Sequence, residues 1–166
     1  MAIADERLDG LYREHARYIA GVATRVLGRD DEVDDVVQDV FVQAMKDLRQ
    51  VRDPGAIRSW LARITVRTAR RQLRKRRLRR WFSGEPHYDY SQLAARGLTP
   101  ERAAELARLY EVLDTLPVDE RVAWSLRNIE GHSLEAVATM CECSLATAKR
   151  RIARAIKGLR KHVGDG

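Results

Sequence analysis

The sequence predicts an all-α protein with two small helical domains joined by a flexible linker, the second domain containing a helix-turn-helix. Apolar residues recur at three- and four-residue spacing through most of the chain, whereas strand-like alternation is scarce. Residues 83–99 carry Gly, Pro and Ser without a sustained period, which is typical of a linker. We therefore expect a first domain over residues 1–82 and a second over residues 100–166 of the 166-residue chain.

Two amphipathic helices open the first domain. The first covers residues 8–27 and ends at Gly28. The second carries an apolar stripe from Val33 to Leu48, in which Met45 is expected to face inward. The two should pack as an antiparallel pair.

A third helix is expected to change character along its length. Its first half carries apolar residues at core spacing, including Trp60, whereas its second half is the basic run from Arg70 to Arg80. Beyond it lie Trp81 and Phe82, which could anchor the linker or stack on a base. The basic half should project a cationic face.

Polar residues mark the starts of several helices. A Ser, Thr or Asp side chain at the N-cap accepts a hydrogen bond from a free backbone N–H of the first turn. Asp30 or Asp31 can cap the second helix, and Thr99 can cap the first helix after the linker. Ser133 and Ser144 can cap two helices separated by a tight turn. These last two helices form the predicted helix-turn-helix.

Charge is segregated along the chain, whose formal net charge is +7. Residues 1–50 carry a net charge of −4, residues 51–80 carry +11, residues 81–131 carry −4 and residues 132–166 carry +4. Segregated basic blocks create local fields that attract a polyanion. Nucleic acid is the expected partner.

Several other classes are not favoured. No apolar run approaches the roughly 18 residues of a membrane-spanning helix, and the start of the chain lacks a signal-peptide pattern, so a cytoplasmic location is expected. No nucleophile, base and orienter set and no Gly-rich phosphate loop indicates an enzyme or a cofactor site.

The two cysteines, Cys141 and Cys143, are too close for an ordinary disulfide and too few for a zinc site made of cysteine alone. Core packing is the favoured role. The alternative is a metal or thiol sensor that also uses His132.

The second helix of the helix-turn-helix has the features that entry into a DNA major groove requires. Its N-terminus is capped, one face is apolar, and the opposite face is hydroxyl-bearing and basic. The alternative is a helical hairpin with a solvated basic face. The residues expected to contact DNA are Ser144, Thr147, Lys149, Arg150, Arg151 and Arg154.

Four segments of the second domain carry a family resemblance. They are Leu116-Pro117, Glu130-Gly131, residues 133–138 and residues 143–151. Together they resemble region 4 of the extracytoplasmic-function sigma factors. The resemblance implies that this domain reads the minus-thirty-five promoter element.

Residues 34–41 resemble the region 2 helix of the same family, which docks on the clamp helices of RNA polymerase. The implied polymerase-binding residues also share one helix face, turned away from the valine stripe, although a solvated face would show the same spacing. They are Asp35, Gln38, Asp39 and Val42.

Residues 59–70 resemble the family's helix that faces the melted minus-ten element. The family usually has asparagine where this chain has Arg67, often an aromatic residue in place of Val51, and commonly glycine in place of Glu142. The resemblance implies minus-ten contacts by Val51, Arg52, Arg63, Arg67, Arg70, Arg71 and Arg74.

The leading hypothesis is a sigma factor that directs core RNA polymerase to specific promoters and helps to open the minus-ten element. Its implied partners are core polymerase, promoter DNA (double-stranded at minus thirty-five, single-stranded at minus ten) and an anti-sigma factor, with no membrane insertion. The alternative is a stand-alone helix-turn-helix regulator whose N-terminal domain is an interaction module.

Overall fold

A computed structural model of the chain describes residues 2–29, 31–84, 88–90 and 97–164. Over these residues the protein consists of α-helices, 3-10 turns and loops, without a strand, which confirms the all-α prediction. Two 3-10 turns, Leu48–Gln50 and Pro54–Ala56, lie between the second and third helices. The helices are α1 (Ala2–Leu27), α2 (Val33–Asp47), α3 (Ile57–Ser83), α4 (Pro100–Leu113), α5 (Val118–Asn128), α6 (Leu134–Met140) and α7 (Leu145–Gly164).

Helices α1, α2 and α3 pack against one another and form an N-terminal bundle. The predicted stripe of α2 is buried from Val33 to Ala44, and Leu48 continues it in the 3-10 turn. Met45 was expected to face inward, but it is 56% exposed. Ala44 and Leu48 occupy the inward positions of this last turn, so Met45 lies at the solvent edge of the stripe.

The connection between α1 and α2 differs from the predicted one, in which Asp30 or Asp31 caps α2. Gly28 ends α1 as predicted, with a φ of 72°, a conformation that costs glycine little because it has no Cβ. The N-cap of α2 is Glu32, whose side chain does not cap the helix. Asp31 instead accepts a 2.7 Å hydrogen bond from Arg29, which lowers the pKa of this carboxyl. Asp30, the other predicted cap, lies outside the described residues.

Helices α4 to α7 form a C-terminal bundle, in which α5 packs closely on α7 and α6. The side chain of Thr99 caps α4 by accepting a hydrogen bond from the Arg102 backbone N–H. Ser133 caps α6 in the same way through Ala136. Both caps were predicted from the sequence.

The two bundles are packed together. One apolar cluster combines buried residues of the N-terminal bundle with Val122 and Leu126 of α5 and Val137 of α6. Within the predicted linker, Tyr90 is fully buried. None of the described helices is both long enough and apolar enough to cross a membrane.

Candidate nucleic-acid interface

Helices α6 and α7 form a helix-turn-helix with a strained turn. Cys141 ends α6, and the Cys143 backbone N–H donates to the Ala138 carbonyl oxygen at 3.0 Å. Between the two cysteines, Glu142 adopts a φ of 53°. A side chain in this left-handed conformation costs about 1 kcal/mol relative to glycine. The connection between α6 and α7 stays tight although Glu142 occupies this position.

The start of α7 is held by hydroxyl groups. The Ser144 Oγ accepts a 3.1 Å hydrogen bond from the Thr147 backbone N–H, as the cap prediction required. Its hydroxyl also lies 3.0 Å from Thr147 Oγ1, which accepts a 3.1 Å hydrogen bond from Arg150. These contacts fix the first turn of the helix and orient one basic side chain beside it.

The faces of α7 are divided as a groove-reading helix requires. Ala148, Ile152 and Ala155 are buried against the rest of the bundle. The residues predicted to contact DNA lie on the other side, with Ser144, Lys149, Arg150 and Arg154 exposed and Thr147 and Arg151 half-buried.

The arginine-rich half of α3 runs beside the C-terminal bundle. Arg70 lies 3.7 Å and Arg74 lies 3.1 Å from the Asp119 carboxylate of α5. Arg151 of α7 lies 3.3 Å from the same carboxylate. Asp119 therefore joins residues predicted to bind the two different promoter elements.

The remaining predicted minus-ten residues lie along α3 and the turn before it. Arg67 is half-exposed, and Arg63 is half-buried. In the preceding turn, Val51 is half-buried and Arg52 is exposed. Arg71 is exposed and donates a 2.9 Å hydrogen bond to Asp39 of α2.

The predicted polymerase-binding residues form an exposed acidic patch on α2. Asp35, Gln38, Asp39 and Val42 are all exposed, on the side of the helix opposite the buried valines. Val42 is 45% exposed although it is apolar.

A buried network of charged and hydroxyl groups was missed by the sequence reasoning. Arg121 of α5 donates to Asp114, and both side chains are almost fully buried. Asp114 also accepts a 2.9 Å hydrogen bond from the Tyr90 hydroxyl. Arg76 of α3, buried as well, donates a 2.5 Å hydrogen bond to Glu32. The signal was present, because both arginines fall at inward positions of their helices.

The cysteines lie where the core-packing interpretation expects them. Cys141 is buried, and Cys143 is half-buried against the apolar cluster. Burial raises the pKa of the Cys141 thiol to about 12, so this thiol is neutral near pH 7. In the part of the chain that the structure describes, no group of His, Cys, Asp and Glu side chains is arranged to hold a metal ion.

The aromatic residues near the basic helix have different environments. Trp60 is half-buried and packs on the apolar cluster, whereas Trp81 and Phe82 are 83% and 79% exposed. With Leu78 they form an exposed apolar end of α3. They do not anchor the described part of the linker.

Two regions of known protein families match this chain, one in each bundle. Residues 11–79 match Sigma-70 region 2, and residues 106–159 match Sigma-70, region 4. The ECF RNA polymerase sigma-E factor of Haemophilus influenzae is 32% identical over 154 residues, which cover 87% of this chain and 81% of that protein. The chain belongs to the extracytoplasmic-function sigma factors. These relatives therefore do not support the alternative hypothesis of a stand-alone helix-turn-helix regulator.

Two solved structures share the fold. The sigma factor RpoE of Bartonella quintana, solved with the anti-sigma factor NepR, superposes with a TM-score of 0.67 at 22% identity over 96% of this chain and 98% of that one. CnrH, solved with the cytosolic domain of CnrY, superposes with a TM-score of 0.63 at 26% identity over 97% of this chain and 90% of that one. The helical architecture of this sigma factor is thus shared along nearly its whole length.

Proposed function

We propose that this sigma factor directs core RNA polymerase to specific promoters and helps to open the minus-ten element. The observation that carries the proposal is that one chain combines the arginine-rich α3 with the capped, basic α7. The two helices lie in region 2 and region 4, in the order in which the family has these regions. The protein would have no catalysis of its own. It would act in the cytoplasm, where the polymerase and the chromosome lie.

The C-terminal bundle would read the minus-thirty-five element as duplex DNA. Helix α7 would lie in the major groove with its N-terminal turn against base edges. Guanidinium groups can donate two parallel hydrogen bonds to guanine, and hydroxyl groups can contact any base edge. Thr147 and Arg150 are suited to this role because their hydrogen bond orients both side chains at the groove-facing end.

The N-terminal bundle would hold the unpaired minus-ten strand along α3. Unpaired bases can bind this helix, whereas paired bases cannot. The free energy of binding the unpaired bases therefore favours strand opening. Arginine can stack on a base or bind a phosphate, but it only donates hydrogen bonds. Because Arg67 replaces the usual asparagine, we expect a base preference different from that of most relatives.

The exposed patch of α2 would dock on the polymerase. Acidic and amide side chains at Asp35, Gln38 and Asp39 suit a basic helical partner. In the free chain Asp39 is paired with Arg71, but both side chains are more than half exposed. Such exposed pairs contribute at most about 1 kcal/mol, so a polymerase arginine or lysine can displace Arg71.

An anti-sigma factor is the further proposed partner. Of the two solved structures with the same fold, one holds the sigma factor RpoE with the anti-sigma factor NepR, and the other holds CnrH with the cytosolic domain of CnrY. An inhibitor of this chain would cover the exposed patch of α2 and so exclude the polymerase.

Run-off transcription tests the proposed function. Core polymerase from the source organism, a promoter-containing template from the same organism and this chain should give a discrete transcript that the core alone does not give. No promoter-dependent transcript, where another sigma factor of that organism supports one, would contradict the proposal.

A pair of charge reversals tests the docking surface. Asp39→Arg should weaken co-purification with core polymerase by about tenfold or more, because like charges across an interface are strongly unfavourable. Glu14→Arg, on the exposed side of α1, is the matched control and should leave binding unchanged. Equal retention of both variants would place the docking surface elsewhere.

A further inference from the structure

An open groove lies beside the exposed patch of α2, between α2 and the end of α3. Its volume is about 540 Å³, and its lining includes Asp35 on α2 and Lys75, Leu78, Arg79 and Phe82 on α3. Asp35 is also a member of the α2 patch proposed to dock on the polymerase. The groove is therefore continuous with that docking surface, and we call it the α2–α3 groove.

The α3 wall of the groove is a single helix face. Lys75, Leu78, Arg79 and Phe82 follow the spacing i, i+3, i+4, i+7, which places them on one side of a helix. Leu78 is 59% exposed and Phe82 is 79% exposed. Apolar side chains that are exposed next to one another, unlike single scattered ones, mark a surface that binds a partner.

Trp81 is similarly exposed, but it points in another direction. Successive residues of an α-helix are turned by about 100°, so Trp81 does not share the face of Phe82 and is not among the residues that line the groove. It follows Arg74 by seven residues and shares that residue's face instead. Arg74 lies 3.1 Å from Asp119 of the C-terminal bundle. The two adjacent aromatic residues therefore belong to different surfaces of α3.

The charges around the groove indicate the chemistry of its occupant. Asp35 supplies a carboxylate on the α2 wall, whereas Lys75 and Arg79 supply cations on the α3 wall. A nucleic-acid strand in the groove would place phosphates next to the Asp35 carboxylate, and the aliphatic Leu78 has no ring on which a base can stack. A protein segment that carries an apolar side chain between a basic flank and an acidic flank would match both walls.

We propose that a segment of core RNA polymerase occupies the α2–α3 groove and that Leu78 and Phe82 are its apolar anchors. The inference rests on the proposed function, in which the α2 patch binds the polymerase, and it extends that docking surface to a second helix. The basic flank of the polymerase segment faces Asp35, and its acidic flank faces Lys75 and Arg79. The sequence predicted docking residues on α2 alone, because spacing within one helix does not show that the end of α3 lies beside it.

Equilibrium binding of the full chain to core polymerase, without DNA, tests the anchors. Phe82→Ala should raise the dissociation constant by about tenfold, because truncating an aromatic anchor in an interface commonly costs that much. Trp81→Ala is the matched control. It removes a similarly exposed aromatic side chain from the same helical turn but outside the groove, and it should change the dissociation constant less than twofold. Far-UV circular dichroism checks that both variants keep the helical fold.

A charge reversal tests the orientation of the polymerase segment. Lys75→Glu should weaken binding several-fold, because it places a carboxylate against the acidic flank of the segment. Arg17→Glu makes the same change of charge at an exposed position of α1 and should leave binding unchanged. Equal effects of the two reversals would mean that the loss reports net charge and not the α3 wall, which would contradict the proposed orientation.

Photo-crosslinking identifies the occupant. The full chain with p-benzoylphenylalanine in place of Phe82 should form a covalent product with a polymerase subunit in the holoenzyme, whereas the same group in place of Trp81 should not. A product of the position-82 group with promoter DNA and not with polymerase would overturn the proposal. Equal affinities of Phe82→Ala and Trp81→Ala for core polymerase would also overturn it.

The proposed function can fail separately from this inference. A chain that binds core polymerase through Phe82 but gives no promoter-dependent transcript would contradict the proposed function and leave the groove assignment standing. Promoter-dependent transcription by a chain whose Phe82→Ala variant binds polymerase as tightly as Trp81→Ala would overturn the groove assignment alone.

Discussion

Arg67 and Glu142 face each other across the two bundles, with Arg67 Nη1 3.7 Å from Glu142 Oε1. Arg67 stands on α3 where the family resemblance leads us to expect asparagine, and Glu142 stands in the turn where it leads us to expect glycine. Two of the three expected departures from the family pattern therefore meet in one contact. It joins the segment assigned to the minus-ten strand to the turn of the helix-turn-helix.

The backbone cost at Glu142 can be measured separately from its ion pair. Glu142→Gly and Glu142→Ala both remove the carboxylate, but only glycine relieves the positive φ. We expect the glycine variant to have a free energy of unfolding about 1 kcal/mol higher than the alanine variant. Urea denaturation followed by circular dichroism measures the difference. Equal stabilities would mean that the turn relaxes in solution.

Arg121→Ala should be among the most destabilising single changes in the chain. It removes both hydrogen bonds to the end of α1 and leaves Asp114 buried without its nearest partner. The expected loss is about 3 kcal/mol in the free energy of unfolding. Arg108→Ala, at an exposed position of α4, is the control. A loss no larger than that of the control would show that the buried network contributes little.

The two cysteines should react at different rates. Because burial raises the pKa of the Cys141 thiol to about 12, its thiolate is scarce at pH 8 and its access is blocked. Iodoacetamide should modify Cys143 faster than Cys141 by more than about tenfold, as mass spectrometry of the digested protein can show. Unfolding in urea should remove the difference. Faster reaction of Cys141 in the folded protein would revive the thiol-sensor hypothesis.

The salt dependence of duplex binding should report phosphate contacts of α7. Each arginine that neutralises a phosphate releases counterions, so removing one lowers the slope of log affinity against log salt by about 1. We expect this for Arg154→Ala in fluorescence anisotropy with minus-thirty-five DNA. Arg108→Ala should leave the slope unchanged. An unchanged slope for both would mean that Arg154 does not touch the backbone.

Local signals in the sequence predicted much of the fold. The caps at Thr99, Ser133 and Ser144 and the glycine stop at Gly28 depend on residues within one helical turn, and the structure has all four. The inward orientation of Met45 was predicted wrongly. Periodicity identifies an apolar stripe on a helix, but it does not show which residues of the stripe lie at its solvent edge.

The contact between the bundles could not be predicted in this way. Periodicity treats a charged residue as solvent-facing, so Arg76 was assigned to the cationic face and Arg121 was not singled out, although both are buried. Their partners lie far away along the chain, as with Arg121 and the carbonyl oxygen of Leu27. A guanidinium at an inward position is the signal that would have indicated a buried pair.

Permanganate, which oxidises unpaired thymines, reports whether this chain enables core polymerase to open the minus-ten element. With core polymerase and this chain, thymines of the minus-ten element should become reactive while the minus-thirty-five element stays double-stranded and protected. Core polymerase or the chain by itself should leave the minus-ten thymines unreactive. Two results together would contradict promoter opening by this sigma factor. They are tight binding of the chain to duplex DNA without polymerase, and no reactive minus-ten thymine when polymerase is added.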